Sequence, residues 1–322
     1  MAGLKEITIL EGKTGFLKAR LEKVCRLLEI LKEISLHPLL SKVLALKGGT
    51  AINLFLFDCP RLSIDLDFNF IGADSKDETD KARKEVEAAL GNIFRFFRSS
   101  AESKSNEGID QYYVSYETLF KGTDRIKVEV NYLLRLPLKK PSLRPVRSPF
   151  SFKFKVRTLA FEELYAAKCV ALFDRVTPRD LFDVYLLSSA EAPECDFDTL
   201  KKFFLFYSSI SRSSFFDFKI ESIRKLTEKE IKDQLWPLLS RKARPVRKTC
   251  LPAGRSEMLK KATHFLRRLL TLNSSERQFF ENFYQGAPDF SLLFDKPTLI
   301  QACRMHPMVI WKQQHLKAFR SH

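Results

Sequence analysis

The chain has 322 residues, 45% of them hydrophobic, and carries 55 Lys and Arg against 39 Asp and Glu for a formal net charge of +16. That length and apolar content suit a core domain with a second domain beside it, while no apolar run approaches the ~20 residues that span a bilayer. The opening MAGLKEITILEGKTG lacks a signal-peptide core and cleavage site, and six scattered cysteines make no C-x-x-C pair. Neither a membrane-spanning helix nor a disulfide framework is expected, and the composition suits a cytoplasmic protein with reduced, packing cysteines.

Phe16, Leu17, Leu21, Val24, Leu27, Leu28, Leu31 and Ile34 recur at helical spacing and predict an amphipathic helix over residues 12–36. Residues 40–57 read as a short strand or turn entering a helix around Gly48-Gly49-Thr50, and residues 62–72 as a strand. Lys76–Phe97 is a charged helix with an apolar stripe. Tyr112–Tyr116, Arg125–Leu133 and Phe150–Thr158 read as strands and Leu159–Phe173 as a helix. Thr177 then supplies an N-cap and Pro178 the first residue of a helix through Ser188. From Phe197 onward the pattern is helical, broken at Pro237, Pro245 and Pro252, and the basic stretch Arg241–Arg255 reads as a linker. No internal repeat is visible.

Two stretches carry chemistry. In KGGTAINLF (Lys47–Phe55) a Gly-Gly precedes a hydroxyl residue at the expected start of a helix. In RLSIDLDFNF (Arg61–Phe70) Asp65 and Asp67 stand two apart in an apolar run. On a strand, positions i and i+2 share a face, about 7 Å apart. Two carboxylates so placed repel each other unless a cation joins them. Hard divalent cations such as Mg²⁺ take one or two carboxylates plus substrate phosphates, and a glycine turn lets backbone N–H groups approach those phosphates. Together the two stretches read as a site for a metal and a nucleoside triphosphate. Ser63, two residues before Asp65, shares its face, and Arg61 joins it if the strand begins early, with a surface salt bridge the alternative for Arg61. Glu129, on a neighbouring predicted strand, either completes the carboxylate set or draws a proton from an acceptor hydroxyl. Lys127, two residues before it, either neutralises phosphate charge or pairs with Glu129.

Charge is unevenly spread. Residues 131–157 hold eight Lys or Arg and no acid, and residues 241–322 hold sixteen against five Asp or Glu. Such blocks are either solvated basic surface or the footprint of a polyanion such as RNA.

Gly48-Gly49-Thr50 followed by Arg61-Leu62-Ser63-Ile64-Asp65-Leu66-Asp67-Phe68 resembles the AbiEii/AbiGii branch of polymerase-β-like nucleotidyltransferases. The resemblance continues in Ile126–Val130, in Glu162-Glu163-Leu164 through Lys168, in Pro178-Arg179-Asp180-Leu181-Phe182-Asp183, and near the C-terminus in Leu270–Phe283 and Gly286–Phe294. It spans residues 40–310, with a longer gap between Gly49 and Asp65 than the broad superfamily has. The resemblance implies an α/β fold: a polymerase-β-like core of mixed sheet and helices over 1–160, a helical part over 161–240 completing the active site, and a basic helical region over 241–322. It implies Mg²⁺ or Mn²⁺ at Asp65, Asp67 and Glu129. It also implies a triphosphate at Gly48, Gly49, Thr50 and Ser63, with Arg61 and Lys127 as further candidates.

Lys168 is the lone cation of an apolar helix, where a lysine ordinarily snorkels; the resemblance assigns it to the triphosphate. Asp180 either favours the helix dipole or, with Asp183, positions Lys168 or the nucleotide. The activity implied is transfer of NMP from an NTP with release of pyrophosphate, by the toxin of a toxin–antitoxin or abortive-infection pair. RNA, with the tRNA 3′ end first, is the expected acceptor, and a cognate antitoxin the expected partner. Protein nucleotidylation and a non-catalytic nucleotide- or RNA-binding regulator are the alternatives.

Overall fold

Gly15 splits the helix expected over 12–36 into α1 (Leu4–Thr14) and α2 (Lys18–Leu36). Its backbone is left-handed, φ 73°, and its N–H caps the Glu11 carbonyl at 2.7 Å, a geometry that favours a residue without Cβ. The structure, a computed structural model, describes residues 3–97, 100–106, 108–147, 149–188, 195–240 and 254–316. The expected linker falls mostly on 241–253, outside the described residues. Two units divide the chain, one from Met1–Leu159 with Leu235–Pro252, the other from Ala160–Gln234 with Ala253–His322.

In the first unit α3 (Leu40–Val43) leads into β1 (Leu44–Lys47), then α4 (Gly48–Ala51), which widens into a π-turn over Ile52–Leu56. β2 (Asp65–Phe70), α5 (Lys76–Phe96), β3 (Ser100–Ser105), β4 (Ile109–Thr118), β5 (Gly122–Asn131), β6 (Ser142–Pro145) and β7 (Lys155–Thr158) follow. The seven strands form one sheet in the order β3-β4-β5-β2-β1-β7-β6. β2 runs parallel to β5 and antiparallel to β1, so the sheet is mixed, as expected of this α/β fold. β3 (SAESKS) and β6 (SLRP) have no apolar alternation to reveal them. β2 begins at Asp65 rather than 62: the Leu62 N–H bonds the Leu238 carbonyl at 2.8 Å, and Arg61 bridges Leu239.

The alternation of β2, β4 and β5 divides the sheet into two chemistries. Leu66, Phe68, Phe70, Tyr112, Val114, Ile126, Val128 and Val130 are buried on one face. Helices cover it: the α5 Phe94 ring lies 5.7 Å from Tyr112, and α2 Lys23 pairs with Asp124 at 3.0 Å. Asp110, buried on this face, is held by Arg83 of α5. The other face carries Asp65, Asp67, Asn69, Gln111, Lys127, Glu129 and Asn131.

The second unit is helical: α6 (Phe161–Arg175), α7 (Pro178–Leu187), α8 (Phe197–Ser209), α9 (Ile220–Arg224), α10 (Glu228–Gln234), α11 (Arg255–Leu270), α12 (Ser274–Gln285), α13 (Pro297–Met305) and α14 (Pro307–Gln314). Its core is aromatic, with Phe215 stacked on Phe280 at 4.1 Å and Phe173 on Phe218 at 4.6 Å. Thr177 caps α7 by accepting from the Asp180 N–H, and Pro178 stands at the first helical position. Among the described residues no helix is long and apolar enough to cross a membrane. Cys25, Cys59, Cys169 and Cys303 are buried and free, and burial pushes the thiols of Cys25, Cys59 and Cys303 up to about 12. They are inert packing residues; Cys250 lies outside the described residues.

Candidate functional site

Strand register assembles the polar face. Lys47 of β1 stands opposite Asp67 of β2, Asp67 beside Glu129 of β5, and Glu129 opposite Gln111 of β4. The next row sets Asp65 beside Lys127 and Lys127 opposite Tyr113. One row thus runs Lys47, Asp67, Glu129, Gln111 across four strands. Lys47 and Gln111 are absent from the sequence reading. Their membership depends on register between strands, to which local periodicity is blind.

Gly48 and Gly49 close on this face. Gly48 is left-handed, φ 71°, and a Cβ there would overlap the Asp67 carboxylate. A Cβ on Gly49 would lie 2.6 Å from the Arg61 guanidinium and 3.0 Å from Ser63 Oγ. The loop therefore lies flat against all three side chains, although Arg61 and Ser63 precede the strand. Arg61 is buried rather than at the surface, and it donates to the Leu62 carbonyl at 3.0 Å. Thr50 is buried too: its hydroxyl donates to the Asp65 carbonyl at 2.5 Å, tying α4 to β2. Asn53 donates to the Gly49 carbonyl at 2.9 Å and fixes the turn from below.

Gly48→Ala tests this close approach. It forces a Cβ into the left-handed region, at about 1–2 kcal/mol, and displaces Asp67. The expected result is a loss of at least tenfold in nucleotide transfer, with a matching drop in urea midpoint. Unchanged rate and midpoint would show that the loop does not press on the carboxylate.

Electrostatics separates the carboxylates. Burial pushes the Asp67 carboxyl above its ordinary range; Lys47 pulls it down, while the charges of Glu129 and Asp65 push it up again. Burial acts the same way on Glu129, but there the Lys127 hydrogen bond and charge, with Lys47 and Gln111, prevail and hold it below its ordinary range. Lys127 donates to Glu129 Oε2 at 2.6 Å and Gln111 donates to the same oxygen at 3.0 Å. No hydrogen bond among the described residues reaches Glu129 Oε1. Lys127 thus pairs with Glu129, the second of its two expected roles.

Asp65 and Asp67 suit a hard divalent cation: two oxygen donors on one strand face, one of them short of positive charge. Among the described residues no three His, Cys, Asp or Glu side chains gather as a metal-ligand group. As the side chains stand, Glu129 is drawn onto Lys127.

The remaining expected site residues, Lys168, Asp180 and Asp183, cluster in the second unit. Lys168 Nζ lies 2.8 Å from Asp180 Oδ1 and 3.2 Å from Asp183 Oδ2, all three buried. Arg175 reaches Asp180 at 2.9 Å, and the Thr177 hydroxyl donates to it at 2.8 Å. Lys168 does not snorkel; it is sealed between two acids one helical turn apart. Burial raises the Asp180 carboxyl, but Lys168, Arg175 and Thr177 outweigh it and bring it down to about 2.

Of the eight cations in 131–157, Arg135 and Arg157 spend donors on the carbonyls of Asp74 and Ser41. Lys139, Lys140, Arg147, Lys153 and Lys155 are exposed around β6 and β7, at one edge of the sheet.

A family model described as nucleotidyl transferase AbiEii toxin, type IV TA system, matches residues 29–266. No curated protein sequence matches the chain. Among solved structures, the chain is similar to MenT4, nucleotidyltransferase toxin Rv2826c from Mycobacterium tuberculosis H37Rv, with a TM-score of 0.61 at 16% identity, covering 92% of this chain and 98% of that one. At that identity the likeness is one of fold.

Proposed function

The chain belongs to the AbiEii nucleotidyl transferase toxin family of type IV toxin–antitoxin systems, and from that premise we propose that it transfers NMP from an NTP to the 3′ end of an RNA, the tRNA acceptor end first. It is a nucleotidyltransferase. The observation that carries the reading is the row Lys47, Asp67, Glu129, with Gly48 against Asp67.

Asp65 and Asp67 would hold Mg²⁺ or Mn²⁺, which supplies Lewis-acid stabilisation of the transferring phosphoryl group. The backbone N–H groups of Gly48 and Gly49 receive phosphate oxygens at the start of α4, and Ser63 adds a hydroxyl beside them. Lys47 offsets phosphate charge, and Lys127 joins it only when its bond to Glu129 loosens. Glu129 is held ionised, with both donors on Oε2. Its Oε1 takes the proton of the acceptor hydroxyl, or joins the cation site when the Lys127 bond loosens. Lys168, Asp180 and Asp183 are assigned to nucleotide use by the family resemblance alone. The exposed cations around β6 and β7 support a polyanionic acceptor, and family membership implies an antitoxin partner.

The test is direct. Purified protein with Mg²⁺ and each labelled NTP in turn is given total RNA or total protein. Label in RNA of tRNA size, lost on EDTA addition, is the expected result. Label confined to protein would replace this reading with protein nucleotidylation; label in neither fraction would leave a binding protein.

A further inference from the structure

The second unit holds an open cleft of about 780 Å³ between α9 and α11, remote in sequence from every residue assigned above. Arg224, Arg255, Lys260, Lys261, His264 and Arg267 line it, with Leu259 as its one apolar side chain and no carboxylate in its wall. Arg255 is fixed in place: its guanidinium donates to the carbonyls of Leu226 at 2.6 Å and Arg224 at 2.8 Å, clamping the end of α9 to the first turn of α11. Lys261 pairs with Glu257 at 2.9 Å. Among the described residues no carboxylate pairs with Arg224, Arg255, Lys260 or Arg267.

The arrangement follows from the pattern of α11. Met258, Leu259, Ala262, Phe265, Leu266 and Leu269 are buried, so its outward positions are free to hold cations. Lys260, His264 and Arg267 fall on one exposed side, at i, i+4 and i+7. They span roughly 10 Å, two turns of helix. That is too far apart for one phosphate group and suited to a chain of them. A protein partner would meet aromatic and apolar anchors at the centre of its interface, where lysine is depleted; this cleft has the reverse composition.

We propose that the cleft between α9 and α11 binds the phosphodiester backbone of the RNA acceptor. The proposal rests on the RNA reading of the function and adds to it a second surface, built of different residues. Backbone contacts of this kind position a nucleic acid without reading its sequence.

The test uses the full-length chain carrying Lys260→Gln and Arg267→Gln, both exposed, with Lys219→Gln and Lys229→Gln as a control of equal charge loss. Binding of fluorescein-labelled bulk tRNA is followed against salt. The cleft variant is expected to bind about tenfold more weakly at low salt, and its slope of log K on log[salt] to flatten by about 1.4–1.8, two contacts' worth. The control variant should move by far less, and neither should alter the KM for NTP. Equal weakening by control and cleft variants overturns the proposal in favour of diffuse charge. A raised NTP KM with tRNA affinity intact overturns it in favour of a free triphosphate as occupant. Displacement of tRNA by poly-L-glutamate as readily as by unlabelled tRNA overturns it in favour of an acidic protein. If wild-type protein labels no RNA, the parent reading fails; if it labels RNA and the cleft variant does so with unchanged KM and salt slope, only the cleft assignment fails.

Discussion

Asp67→Asn is expected to abolish nucleotide transfer while leaving the fold at least as stable as before. Asparagine keeps the shape of the side chain on β2 but removes the charge that a divalent cation needs. A metal-holding carboxylate contributes several kcal/mol to the transition state, so the rate should fall by roughly a thousandfold or more. Stability moves the other way. Burial and the charges of Glu129 and Asp65 hold the Asp67 carboxyl above its ordinary range, despite Lys47. An acid whose pKa is raised in the folded state favours folding while protonated and loses that advantage as pH rises, so ionising Asp67 works against the fold. In EDTA the variant should therefore melt at or above the wild-type temperature. With Mg²⁺ added, only the wild type should gain. Wild-type transfer by a folded variant would remove Asp67 from the chemistry, and a marked drop in melting temperature in EDTA would make it a structural residue.

That combination of lost activity and kept stability is the usual mark of residues whose local rule is broken for function, and it explains what the sequence revealed. Asp65 and Asp67 stood out because they interrupt an apolar alternation, and Gly48-Gly49 because glycine pairs mark close backbone approach. Both are local signals. Thr177 and Pro178 announced the start of α7 for the same reason. Lys47 and Gln111 gave no such signal, since β1 reaches β2 only through the π-turn and the loop after it. The cations behaved similarly. A basic block is visible in composition, but whether Arg157 faces solvent or the Ser41 carbonyl is decided by tertiary packing. The break at Gly15 was legible in principle, as a glycine between two apolar stripes; the continuous helical spacing on either side concealed it.

Lys168→Met is expected to destabilise the second unit by about 3–5 kcal/mol, the usual effect of removing one member of a buried ion pair. Lys168 bridges Asp180 and Asp183, and Asp183 is fully buried. Restoring neutrality should recover much of the loss, so Lys168→Met combined with Asp180→Asn and Asp183→Asn should be more stable than Lys168→Met alone. Asp180 adds a pH signature. Its folded carboxyl titrates at about 2 against an ordinary 3.8. An acid with a depressed folded pKa stabilises the fold above its unfolded pKa, and that stability is lost as pH falls through the folded one. The contribution is on the order of 2 kcal/mol. It should be complete above pH 4 or so, fade toward pH 2, and be missing from Asp180→Asn over that window. Urea titrations at several pH values measure both effects. The same proteins decide what Lys168 does, because NTP KM can be measured at temperatures where Lys168→Met is still folded. A fall in stability with unchanged KM makes Lys168 a structural cation for Asp180 and Asp183. A raised KM with stability within about 1 kcal/mol of wild type, below the cost of breaking a buried ion pair, would assign it to the triphosphate instead.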